Sequence, residues 1–107
     1  MKRIVIAVSA LMLAVSACAV LAEEKDNMSG ENLFKEYCAV CHVDGGNIIN
    51  PEKTLHTADL EANGIRSKAD IVHTMRHPGK GMTEWGAATI PDRKAELIAD
   101  YILKTFK

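Results

Sequence analysis

Five consecutive residues, Cys38-Ala39-Val40-Cys41-His42, limit what this chain can fold into more than any other feature. Two thiols three residues apart lie on neighbouring positions of one helical turn, so both sulfurs can reach the same edge of a single object. The adjacent imidazole can then swing beneath it. C-x-x-C-H in this arrangement is the attachment motif of a c-type haem. The sulfurs reach the two vinyl groups on one haem edge, and the histidine gives a ring nitrogen to iron. A covalent link also holds the cofactor against dissociation.

The size of the chain points the same way. Residues 4–22 carry no charge, and only Lys2 and Arg3 precede them. A basic start, an apolar run from Ile4 to Val15 and small residues up to Ala22 form the layout of an export segment. Of the 107 residues, the 85 beyond it hold 11 basic and 14 acidic side chains, a net charge of −3. That is one domain, mildly acidic and without a basic cluster, which argues against nucleic acid as a partner. Its five aromatic residues all lie beyond residue 33. So small and aromatic-poor a core calls for a disulfide, a metal or a bulky cofactor at its centre.

The export segment reads in three ways. Val15-Ser16-Ala17-Cys18 fits a lipobox, with the leader ending at residue 17 and lipid on Cys18. Val20-Leu21-Ala22 offers a cleavage site after Ala22. An uncleaved anchor is the third reading, since nineteen uncharged residues just span a bilayer. Each puts residues 23–107 outside the cytoplasm, in the periplasm or attached to the outer membrane. Residues 23–28 read as a flexible lead-in and 29–107 as the folded domain.

Within that domain the pattern predicts an all-α fold. Ser29 caps a helix running to about Cys41, with Leu33, Phe34 and Tyr37 at helical spacing. Residues 42–51 form a loop around Asp44-Gly45-Gly46-Asn47. A short helix covers part of Thr54 to Ala62 and stops at Asn63-Gly64. Ser67, with Asp70 three residues later, opens a third helix through Arg76, and Pro78 stops it. After a Gly-rich loop, Pro91 and Asp92 open the last helix, with Leu97, Ile98, Tyr101 and Ile102 on one stripe.

Other readings of the two cysteines fit less well. A structural disulfide suits an oxidising compartment. Thioredoxin-like chemistry wants a βαβ setting, and a zinc site drawing on His56, His73 or His77 wants paired ligand groups that a single CxxC does not supply. The second axial ligand of the iron comes from Met28, Met75, Met82 or a histidine. Met28 falls in the lead-in. Met75 follows Ile71 by four and Val72 by three, on the apolar stripe of the third helix, where packing explains it. Met82 sits in the loop Gly79-Lys80-Gly81-Met82, where glycines let backbone approach a flat ring. It is the preferred ligand, with Met75 and His77 as the remaining candidates.

The domain resembles the class I cytochromes c, and within them the cytochrome c6 type, over nearly all of residues 29–107. The marks are Cys38-Ala39-Val40-Cys41-His42, Gly45-Gly46-Asn47, Pro51-Glu52-Lys53-Thr54-Leu55, Leu60-Glu61-Ala62-Asn63-Gly64, Gly79-Lys80-Gly81-Met82 and Ala99-Asp100-Tyr101-Ile102. With a lipobox, the chain is also similar to single-haem outer-membrane lipoprotein cytochromes of metal-respiring bacteria. The resemblance implies about four helices wrapped around one haem c, with thioether links at Cys38 and Cys41 and axial ligands His42 and Met82. It implies that Gly30, Phe34, Ile98 and Tyr101 form the crossing of the first and last helices, and that Trp85 lies near the haem. Thr83 departs from the family's pattern, which places proline after the ligand methionine.

The function that follows is electron transport: a monomeric carrier, not an enzyme, shuttling one electron between redox proteins that dock transiently at the haem edge. Its acidity calls for a basic patch on a partner. A peroxidase-like haem enzyme or a gas-binding sensor would need a labile sixth position. Glu84 is the only carboxylate in the 79–86 loop, too little for a distal acid–base pair.

Overall fold

The computed structural model describes residues 29–107, and all that follows concerns these. The export segment 1–22 with Cys18, and the lead-in 23–28 with Met28, lie outside the described residues. Four α-helices follow in order: α1 Gly30–Tyr37, α2 Thr57–Ala62, α3 Lys68–Arg76 and α4 Asp92–Thr105, with a single 3-10 turn at Val43–Gly45. No strand occurs among the described residues, as the pattern predicts.

The helix starts are set by short polar side chains. Ser29 Oγ accepts the Asn32 N–H at 3.2 Å, and Ser67 Oγ accepts the Asp70 N–H at 3.1 Å, each satisfying a donor that the first turn leaves free. Asp70 returns a bond, but to the N–H of Arg66 at 3.0 Å, one residue before the cap. The Arg66 N–H, with Ser67 behind it, holds the Asp70 carboxyl below its ordinary 3.8.

α1 ends four residues earlier than its periodicity suggests. Phe34 O accepts from both Cys38 N, at 2.8 Å, and Ala39 N, at 2.9 Å, and the chain tightens into turns. The Cys41 and His42 N–H groups then both bond to Cys38 O, at 3.2 and 3.0 Å. The C-x-x-C-H segment is thus a separate turn, whose direction is set by its own bonds and not by the axis of α1.

α4 is the spine. Ala95, Ile98, Ala99 and Ile102 are buried along it, and both α1 and α3 pack against it. Leu33 and Phe34 come from α1, Leu60 from α2, Ile71 and Met75 from α3, and Ile90 from the turn before α4. No polar or charged side chain is buried among them. α1 approaches α4 where Gly30 faces Leu97 and Tyr101. A Cβ at Gly30 would collide with Leu97 O and lie 3.0 Å from Tyr101 Cβ. Phe34 then rests on Tyr101 and Phe106, with ring centroids 5.3 and 5.4 Å apart. Gly30, Phe34 and Tyr101 therefore meet in this structure as the family resemblance implies, and Ile98 is buried in the same core.

Two outcomes follow. Gly30→Val drives a side chain into the Leu97 carbonyl and lowers unfolding free energy by about 1–3 kcal/mol, measured by denaturant titration of the haem-loaded protein. Asp70 has a depressed folded-state pKa, so its stabilisation is present above the ordinary value and is lost as pH falls through the folded one. Asp70→Asn is accordingly less stable than the parent at neutral pH, and the difference closes in acid well below 3.8.

Candidate functional site

The turns after α1 bring Cys38, Cys41 and His42 to the wall of a cavity of about 420 Å³. Met82 lines the same cavity from the loop between α3 and α4. Residues forty or more positions apart in sequence are joined here by the packing of α1 and α3 on α4. The floor is apolar, made by Leu60, Ile71, Met75, Ile98 and Ile102. Asn47, Asn50, Lys53 and Lys80 supply polar groups around it. The volume lies within the range of small-molecule and cofactor sites, and a mostly apolar wall with few polar groups is what such sites require.

His42 is held in one tautomer. Its Nδ1 is 2.7 Å from Gly46 O. A carbonyl only accepts, so Nδ1 carries the proton and donates it, leaving the Nε2 lone pair available to a metal. The Gly46 carbonyl is a functional group that side-chain reasoning missed, and only its place in the Gly45-Gly46-Asn47 turn gave a hint. Asn47 builds the next stretch: its Oδ1 accepts the N–H groups of Ile49 and Asn50 at 3.0 and 2.9 Å, and its Nδ2 donates to Lys53 O at 2.9 Å.

Phe106 was also missed. Its ring lies against Gly45, where a Cβ would meet the ring carbon Cδ1 at 2.6 Å. Its carbonyl accepts the Thr57 N–H at 3.0 Å. The C-terminal end of the chain thereby braces the turn that carries His42. Leu55 N–H closes that turn by donating to Gly45 O at 2.7 Å.

Cys38 and Cys41 are half-buried, and each is a free thiol. Burial pushes the Cys38 thiol up to about 11, the opposite direction from the depressed pKa of a thiol–disulfide exchange centre. Among the described residues no three His, Cys, Asp or Glu side chains come together as a metal-ligand group. The soft and nitrogen donors lining the cavity are two thiols, one imidazole and the thioethers of Met75 and Met82. That set fits a covalently attached haem with a nitrogen and a sulfur ligand.

Met75, the other methionine candidate, lines the same cavity from the core, where it is 4% exposed. His56, His73 and His77 are exposed and do not line the cavity. His56 lies edge-on to Phe106, and the rings of His73 and His77 are 4.8 Å apart. Trp85 is half-buried on the cavity wall, edge-on to Tyr37 at 5.5 Å.

In the loop that carries Met82, Gly81 has φ +91°, and a Cβ there would sit 2.8 Å from Ile49 Cγ2. Both facts require glycine, since a β-carbon is unfavourable at that φ and has no room. Gly81→Ala therefore displaces the loop from Ile49. It is expected to speed amide hydrogen exchange across residues 79–85 at least tenfold while leaving α1 and α4 as protected as in the parent.

Residues 25–102 match the family model described as "Cytochrome C oxidase, cbb3-type, subunit III". The chain is 35% identical to cytochrome c6 of Cyanidium caldarium, over 87% of this chain and 88% of that one. It superposes on OmcF, outer membrane cytochrome F of Geobacter sulfurreducens, with a TM-score of 0.72 and 46% identity, covering 74% of this chain and all of that one. Cytochrome c6C of Synechococcus sp. PCC 7002 gives a TM-score of 0.67 at 25% identity, over 72% of this chain and 93% of that one.

Proposed function

Given that the chain belongs to the class I c-type cytochromes, of the c6 type, we propose that it is an extracytoplasmic electron carrier whose haem is linked through Cys38 and Cys41 and ligated by His42 and Met82. Members of this family hold one covalently bound haem c and are electron carriers, not enzymes, and this chain is a single-haem carrier on the same ground. The ligand assignment rests on one observation: both thiols, the His42 imidazole and the Met82 thioether line a single cavity, and of the two methionines on its wall Met82 comes from a loop whereas Met75 is packed in the core.

When bound, haem c supplies a one-electron Fe(III)/Fe(II) couple. The chain's residues tune it and keep other chemistry away. Donation from His42 Nδ1 to Gly46 O fixes the ring orientation and raises the basicity of Nε2. The Met82 thioether is a soft donor that favours the reduced state and raises the potential, and the apolar wall of Leu60, Ile71 and Ile98 acts in the same direction. With His42 and Met82 both donating to the iron, small molecules would have no site to enter.

Partners are redox proteins docking transiently through small interfaces at the exposed edge of the site. Outside the export segment the chain has a net charge of −3, so a basic patch on at least one partner and a salt-sensitive association rate follow. The uncharged run 4–22 supports export, and the lipobox ending in Cys18 supports attachment to the outer membrane. The name of the Geobacter neighbour, an outer membrane cytochrome, accords with that placement.

The test is optical and near-infrared magnetic circular dichroism spectroscopy of the purified haem protein, oxidised and reduced, with and without carbon monoxide. Low-spin His–Met spectra unchanged by carbon monoxide are expected. High-spin iron or ready carbon monoxide binding would contradict the reading. Met82→Ala should keep the covalent haem but show high-spin or water-ligated iron with a lowered potential; the parent's spectrum and potential in that variant would exclude Met82.

A further inference from the structure

The loop that carries Met82 leaves the end of α3 and comes back beside it, and its neck is closed by both backbone groups of one residue. The Trp85 N–H donates to Met75 O at 2.9 Å. The Trp85 carbonyl accepts from Arg76 Nη1 at 2.9 Å. Arg76 Nη2 donates in turn to Asp92 Oδ1 at 2.8 Å, on the first residue of α4. One guanidinium therefore ties the end of α3, the returning limb of the loop and the start of α4. Two of its nitrogens are committed in a fork, a geometry that a lysine ammonium does not reproduce.

The two bonds differ in weight. The Arg76 side chain is 17% exposed, whereas that of Asp92 is 82% exposed. An ion pair open to water on one side contributes little. A shielded, charge-assisted bond to a backbone carbonyl is about twice as strong as a neutral one. The bond to Trp85 O is the stronger restraint, and Asp92 serves mainly to aim the guanidinium.

Met82 stands three residues before Trp85 and one after Gly81. Thr83 does not fix φ as a proline would, and Gly81 resists no rotation. The loop is braced from outside instead, by Ile49 against Gly81 on the approaching side and by Arg76 at Trp85 on the returning side. We propose that Arg76 is the positioning residue for Met82: its bond to Trp85 holds the returning limb so that the thioether stays at the iron and resists displacement by an external ligand. This rests on Met82 as the sixth ligand.

The experiment uses the full-length ferric haem protein and its Arg76→Gln, Arg76→Lys and Asp92→Asn variants. Imidazole is titrated in while the far-red absorption band of methionine sulfur on ferric haem is followed, with far-ultraviolet circular dichroism recorded alongside. The parent should show the band. Arg76→Gln should lose it at an imidazole concentration at least tenfold lower, with the helical signal unchanged before titration. Arg76→Lys, with its charge kept and its fork lost, should fall at least threefold below the parent, and it carries the test if the Gln variant fails to fold. Asp92→Asn should stay within threefold of the parent. Unchanged imidazole sensitivity in the folded Arg76 variants overturns the inference while the Met82 assignment stands. A loss in Asp92→Asn as large as in Arg76→Gln overturns it too, by making the exposed ion pair the restraint. A parent without the band removes the Met82 assignment, and this inference with it.

Discussion

The close approach of α1 to α4 at Gly30 is the contact on which the site depends. With no Cβ at Gly30, the first helix settles onto the Leu97 carbonyl, and Phe34 packs into the angle between Tyr101 and Phe106. That fixes where α1 ends, and therefore where the cysteine turn begins. α3 meets the same helix from another side and delivers the Met82 loop. The cavity is the space left between two elements that share one support. A small shift of α1 along α4 would carry the thiols and His42 away from Met82 without altering any side chain in the site.

Around that space the polar groups are few and most are already engaged. The imidazole of His42 is held by a backbone carbonyl, the 47–53 loop is built on the Asn47 side chain, and the returning limb of the Met82 loop is held through Trp85. No side-chain nitrogen or oxygen is buried without a partner among the described residues. An electron carrier benefits from this economy, because a site with little freedom to rearrange has little to reorganise when its charge changes by one. The acidic balance of the chain belongs to a different level: it acts at distances set by ionic screening and governs encounter, not the site's interior.

Much of the site was legible in the sequence because its chemistry is local. Cys38, Cys41 and His42 are neighbours in the chain, so their spacing alone announces what they can hold. Helical periodicity accounts for Met75 and not for Met82, which is why the sequence favours Met82 as the candidate. The caps at Ser29 and Ser67 were legible for the same reason, each acting within three residues of itself. The first helix was overestimated by four residues: propensity in the Cys38–Cys41 stretch does not oppose a helix, but the shared acceptor at Phe34 O turns the chain aside. Sequence patterning marks Arg76 only as the end of the third helix and gives Phe106 no role. Their partners, Trp85 and Asp92 for one and Gly45 for the other, lie nine to sixty-one positions away.

The sequence by itself determined the cofactor class, the all-α character and three of the residues that line the cavity, Cys38, Cys41 and His42, since each follows from residue types at short, fixed spacing. The tertiary structure decided that those residues share one cavity, which tautomer His42 adopts and what braces the two loops. Those properties depend on backbone carbonyls at Gly46, Trp85 and Phe106. Every residue carries a carbonyl, so its role cannot be read from residue identity. It appears only when packing on α4 brings a donor within about 3 Å of it.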